Sequence, residues 1–89
     1  MNERRLLILT LFPPPEGFIE TYERVRLRSE PVAVLLAGEG VLNSIPDCSD
    51  LYRLRVDLEG RGIVSGEGAI SDEEAAILIL SASSVITFT

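Results

Sequence analysis

Residues Leu6 to Phe12 are apolar apart from Thr10. An unbroken apolar run of this length predicts a central strand covered on both faces, over about residues 5–11. Pro13-Pro14-Pro15 ends it, because proline has no amide hydrogen for a sheet ladder, and the last proline suits the first turn of a helix. From Glu16 to about Arg28 the apolar residues Phe18, Ile19, Tyr22 and Val25 recur at helical spacing between charges, which predicts an amphipathic helix laid on the sheet. Glu30-Pro31 breaks that helix, and residues 32–37 form a second buried strand.

Gly38-Glu39-Gly40 follows, and Val41, Leu42 and Ile45 keep helical spacing as far as Pro46, which limits this helix to about two turns. A polar turn over residues 46–50 leads to a third strand at 51–56, with Arg53 and Arg55 on one solvated or subunit-facing side. Asp57 to Gly62 stands where that strand would meet the next helix, and residues 63–70 are too glycine-rich to assign. Ser71-Asp72-Glu73-Glu74 has the form of a capping box, with Ser71 accepting from the Glu74 amide and Glu74 reaching back. The helix it starts runs to about Leu80, and a last strand occupies 84–88. The order predicts one α/β domain over 1–89. It is a small three-layer fold with a mostly parallel four-stranded sheet, right-handed crossovers and helices on both faces.

Composition narrows the function classes. Eighty-nine residues can bury only a thin core, and with five aromatic residues and no Trp that core must be aliphatic. Such a short sheet leaves edges and faces uncovered, so an oligomer is expected. Eight Arg and no Lys against fourteen acids give a net charge of -6, which argues against a direct nucleic-acid surface. Arg24, Arg26 and Arg28 alternate with Glu20, Glu23 and Glu30, the pattern of a solvated helix face. There is no His, which removes the commonest metal ligand and general base, and neither a metal nor a cofactor is expected. Cys48 is the only cysteine, so no internal disulfide forms and a reducing cytoplasm is the natural compartment. No stretch approaches the roughly 18–20 apolar residues that span a bilayer, and no leader is recognisable, so a soluble, unprocessed chain is expected.

Three features are candidates for chemistry. Of the three G-x-G triplets, only Gly38-Glu39-Gly40 follows a strand and opens a helix as a phosphate-binding turn should. Asn43 replaces its third glycine and Glu39 brings a negative charge, so a tight turn is the simpler expectation. Asp57 and Glu59, with Glu67 and Asp72 downstream, are possible acid-base or cation ligands. The alternative is that Asp57 caps a short helix, with Arg61 turned back to a carboxylate. Gly38, Gly40, Asp57, Arg61 and Gly62 thus form the candidate binding set, at the strands' carboxyl ends. Cys48 is a candidate sulfur acceptor, although Asp47 and Asp50 beside it would raise a thiol pKa.

Two segments together resemble a known family. Leu35-Leu36-Ala37-Gly38-Glu39-Gly40-Val41, followed by Leu51 to Gly62, is similar to the DsrH/TusB branch of the DsrE/DsrF/DsrH-like proteins. That branch carries an "LL-x-x-GV" turn after the second strand, then a strand, an Asp, and an Arg-Gly four residues on. The terminal helix and short last strand also match its layout. The resemblance implies a small α/β subunit of an intracellular sulfur relay, in which persulfide sulfur passes between protein cysteines towards wobble-uridine thiolation of transfer RNA or towards sulfur oxidation. It implies a hetero-oligomer with DsrE/DsrF-like (TusD/TusC-like) subunits, and a TusA-like carrier as a further partner. In the sister subunits the catalytic cysteine belongs near the end of the third strand, where this chain has Leu54-Arg55-Val56. An accessory subunit without independent catalysis is therefore expected. The alternatives are a single-cysteine carrier using Cys48, or a module that binds a small molecule or forms an oligomer.

Overall fold

The apolar run at Leu6–Leu9 becomes the central strand. In the computed structural model, which describes residues 4–45, 47–63 and 68–89, β1 (Arg5–Leu9) lies between β2 (Val32–Leu36) and β5 (Ser84–Phe88) and is parallel to both. β3 (Leu51–Leu54) and β4 (Ala69–Ile70) extend the sheet beyond β2, giving the order β4-β3-β2-β1-β5 with every pairing parallel. Between the strands stand α1 (Glu16–Leu27), a short 3-10 helix (Gly38–Leu42), α2 (Arg55–Gly60) and α3 (Asp72–Ser81). The α/β class, the parallel sheet and its covering helices are those expected from the sequence.

Alternation along each strand divides the core in two. Leu7, Leu9, Val34 and Leu36 face Phe18 and Tyr22 of α1, Val41 of the 3-10 helix and Leu58 of α2. Leu6, Ala33, Leu35 and Ile70 face the other way, toward Ala75 of α3. On the first side Phe18 is 2% exposed and meets Phe88 edge to face, with ring centroids 5.3 Å apart, and so ties α1 to the last strand. The amino edge of the sheet is held by ion pairs from Arg4 to Asp50 and from Arg5 to Glu30, each at 2.9 Å.

Three elements differ from the sequence expectation. The sheet has five strands, because Ala69–Ile70 pairs with Arg53–Leu54 inside a stretch too rich in glycine to assign. The third strand stops at Leu54, and Arg55 and Val56 open α2 instead of continuing it. Arg53 and Arg55 therefore share no face: Arg53 lies on the α1 side beside Leu36, half-buried, while Arg55 is exposed on the helix. The apolar spacing of Val41, Leu42 and Ile45 yields only a 3-10 helix that ends at Leu42. Pro46 and Glu67 lie outside the described residues.

Candidate functional site

The two motif segments meet at the carboxyl edge of the sheet. Because β3 ends early, α2 starts at Arg55 and carries Asp57 in its first turn toward the 3-10 helix. There the Gly38 amide donates to Asp57 Oδ2 at 2.8 Å. A charge-assisted bond of this kind uses the amide that a phosphate-binding turn would offer to a ligand. Gly38 itself has φ +55, a conformation that side-chain-bearing residues rarely adopt. Asp57 is not the cap of α2, since Leu54 holds that position without a side-chain bond. Arg61 Nη1 donates to the Asp57 main-chain oxygen at 3.3 Å, and among the described residues it pairs with no carboxylate. Gly62 closes the helix end, its amide donating to Glu59 O at 3.0 Å.

Gly40 has a steric role. Its backbone lies against the end of β1, and a Cβ there would collide with the Leu9 carbonyl oxygen. Asn43, passed over in the sequence as a missing glycine, is the buried polar residue that fastens this corner. It is 4% exposed, and its Nδ2 donates to Leu11 O at 2.8 Å and Gly40 O at 3.1 Å. Its main-chain oxygen accepts from Arg53 Nη2 at 3.1 Å. A buried amide must satisfy its hydrogen bonds; here they join the segment after β1 to the 3-10 helix, and the main-chain oxygen adds β3. The sequence signal was an Asn just past an apolar turn, which composition alone does not separate from a surface loop.

The strand order reverses between β1 and β5, and in parallel α/β sheets a ligand crevice opens at such a switch point. Thr10 bridges this one: its amide and its Oγ1 both donate to Phe88 O, at 3.1 and 3.2 Å. Of the candidate set, Gly38 and Gly40 pack against Leu9 and Thr10 at the end of β1, next to this reversal, while Asp57, Arg61 and Gly62 follow β3 on and just after α2.

Cys48 is at the opposite end of β3, before the strand begins. Its half-buried thiol neighbours the Tyr22 hydroxyl of α1. Burial pushes the thiol pKa up, and the neighbouring Tyr22 hydroxyl offsets this only in part. The Tyr22 phenol is pushed up to about 12, chiefly by burial and then by the neighbouring Cys48 thiol. The Arg26 guanidinium stands 5.6 Å from the Tyr22 ring centre and 3.7 Å from Asp47 Oδ2. At neutral pH both sulfur and phenol therefore keep their protons. Cys48 also borders a cavity of about 480 Å³ whose wall includes Ser44, Ser49, Tyr52, Arg53 and Gly68. Among the described residues, cavity and carboxyl-edge motif share no lining residue: the cysteine and the Asp57 turn are separate features.

Asp72 stands with Glu73 and Glu74 in the first turn of α3, where Ser71 and Glu74 form the expected capping box. Among the described residues, no three His, Cys, Asp or Glu side chains gather as a metal site would require, and no helix is long and apolar enough to cross a membrane. No family model matches the chain, and neither a curated protein nor a solved structure matches it.

Proposed function

We propose that this chain is an accessory subunit of an intracellular sulfur-relay system, one that completes an assembly of DsrE/DsrF-like subunits without transferring sulfur itself. The observation that carries this reading is what occupies the carboxyl end of β3. A carrier of that family needs a nucleophile there, and this chain has the start of α2, with Asp57 engaged by the Gly38 amide. The segments on which the resemblance rests thus form one hydrogen-bonded corner. The single thiol lies at the other end of the strand and is held protonated by burial. Thiol-disulfide and persulfide chemistry proceeds through the thiolate, so this environment supports a non-catalytic role.

The test is affinity capture from the native cell. Copurification of small cysteine-bearing DsrE-like or TusA-like proteins is the expected result. A chain that captures none of them sinks the proposal. A second reading, a single-cysteine carrier, is favoured by one observation: Cys48 borders a cavity with Arg53 in its wall. Under that reading Cys48→Ser abolishes the one-sulfur mass increment on the protein and stops transfer in a reconstituted relay. Unchanged transfer removes it.

A further inference from the structure

The amphipathic logic that explains α1 fails for α3. Residues Ala75 to Leu80 are apolar without a break, yet within α3 only Ala75 is fully buried. Ile77 is 66% exposed and Leu80 85%. A helix that is apolar all round is normally buried all round. Beside it runs an open groove of about 340 Å³, between Ile77 and Leu78 of the helix and Tyr52 and Ile70 of the sheet. An apolar helix face with an adjoining groove marks an interaction surface.

Charge indicates what covers it. The amino end of α3 carries Asp72, Glu73 and Glu74. At the carboxyl end the chain passes Arg4, whose main-chain oxygen accepts from the Ser83 amide and whose side chain borders the same groove beside Ser81. Arg5 adjoins Ser81 and Ala82 there. Both arginines are paired, with Asp50 and Glu30, but keep 28% and 40% of their side chains exposed. The surface is therefore acidic at one end, apolar in the middle and arginine-bearing at the other. Such a surface is complementary to itself when turned through a two-fold axis.

We infer that α3 is a self-association surface, on which a second copy of this chain packs its own α3 antiparallel to the first. The acidic turn of each copy then meets the Arg4 end of the other, and the opposed helix dipoles add to the attraction. Ile77 and Leu80 form the dry centre and the groove receives side chains from the facing helix, as ridges of one helix fill grooves of another. A parallel arrangement would set the two acidic turns side by side. Two-fold contacts of this kind are isologous and close on themselves, so the assembly stops at two. The inference is independent of the sulfur-relay proposal: capture of partners tests that one, and self-association of the purified chain tests this.

The experiment is sedimentation equilibrium of the purified full chain across a dilution series. The wild type is expected to pass from monomer to dimer. Leu80→Asp is expected to weaken association by about 30-fold or more, as loss of a central interface residue does. Leu80 is so exposed that the change leaves the monomer folded, and circular dichroism checks this; Ile77→Ser is a second variant at the same centre. Glu73→Arg and Arg4→Glu are each expected to weaken the dimer, and their combination to restore it. A wild type that stays monomeric at the highest concentration overturns the inference. So does a dimer indifferent to Leu80→Asp and Ile77→Ser, which would place the contact elsewhere, with the open edge of β5 the next surface to examine. Failure of the charge exchange to restore association overturns the antiparallel arrangement.

Discussion

The two faces of the sheet are built from equally apolar sequence and finished differently. On the α1 side Phe18, Tyr22 and Val25 are buried, the 3-10 helix adds Val41, α2 adds Leu58, and Phe88 closes on Phe18. On the α3 side one helix covers the sheet and turns most of its own apolar residues outward. The connection rule explains the imbalance. Successive right-handed crossovers from β1 through β4 move in one direction and stack on one face, whereas the single return from β4 to β5 must use the other. One face receives three elements and the other receives α3 alone.

The largest test of this contrast pairs one substitution from each face. Phe18→Ala is expected to cost about 3–5 kcal/mol in urea unfolding, the range for truncating a buried aromatic. Leu80→Ala, measured at dilution where the chain is monomeric, is expected to change stability by no more than about 0.5 kcal/mol. A comparable loss at Leu80 under dilution would mean that α3 is anchored through its outer face within the monomer, and the contrast would fail.

A smaller effect concerns the corner on the well-covered side. Asp57→Ala leaves the Gly38 amide without its carboxylate and is expected to cost about 1–3 kcal/mol, with faster hydrogen exchange at Gly38. Asp57→Asn keeps an acceptor oxygen and should cost less. If both variants exchange at the wild-type rate, the bond contributes nothing to holding the turn.

The least effect, and the one that separates the faces most cleanly, is in pH. Tyr22 is an acid whose pKa in the folded chain is pushed up to about 12, above the ordinary value of about 10. The stability this brings is complete below pH ~10 and lost as pH rises from ~10 toward the folded value. The Cys48 shift, also upward, acts in the same sense. Glu74 behaves oppositely. Its pKa is lowered by hydrogen bonds from the backbone and side chain of Ser71, so its contribution is present above its unfolded value of about 4.3 and lost as pH falls through the folded one. Alkali should loosen the α1 face first and acid the start of α3. Tyr22→Phe should flatten the alkaline limb of a pH-stability curve and Glu74→Gln the acid limb; exchange of the two effects would contradict the assignment.

Much of this fold is legible residue by residue. β1 and β2 announce themselves as unbroken apolar runs, α1 by the spacing of Phe18, Tyr22 and Val25, and α3 by its capping box. What escapes the sequence is set by distant partners. Leu51 to Val56 has one pattern throughout, and only the packing of Leu58 into the α1-side core shows why strand gives way to helix after Leu54. β4 is two residues long, and it counts as a strand only because β3 is beside it. At the candidate site, Gly38 and Asp57 can each be singled out from local pattern, but the bond between them spans 19 positions. The contact of Tyr22 with Cys48 crosses from α1 to a loop and leaves no local signature at all.

The pairing of β1 with β5 also sets a clock. Thr10 and the Phe88 oxygen it binds are 78 positions apart. At the usual 5–20 residues per second of synthesis, β1 leaves the ribosome roughly 4–16 s before the strand that will cover one of its two sides. β2 follows much sooner and protects the other side. Throughout that interval one side of this apolar strand presents a bare backbone edge, the kind of edge on which another chain can pair.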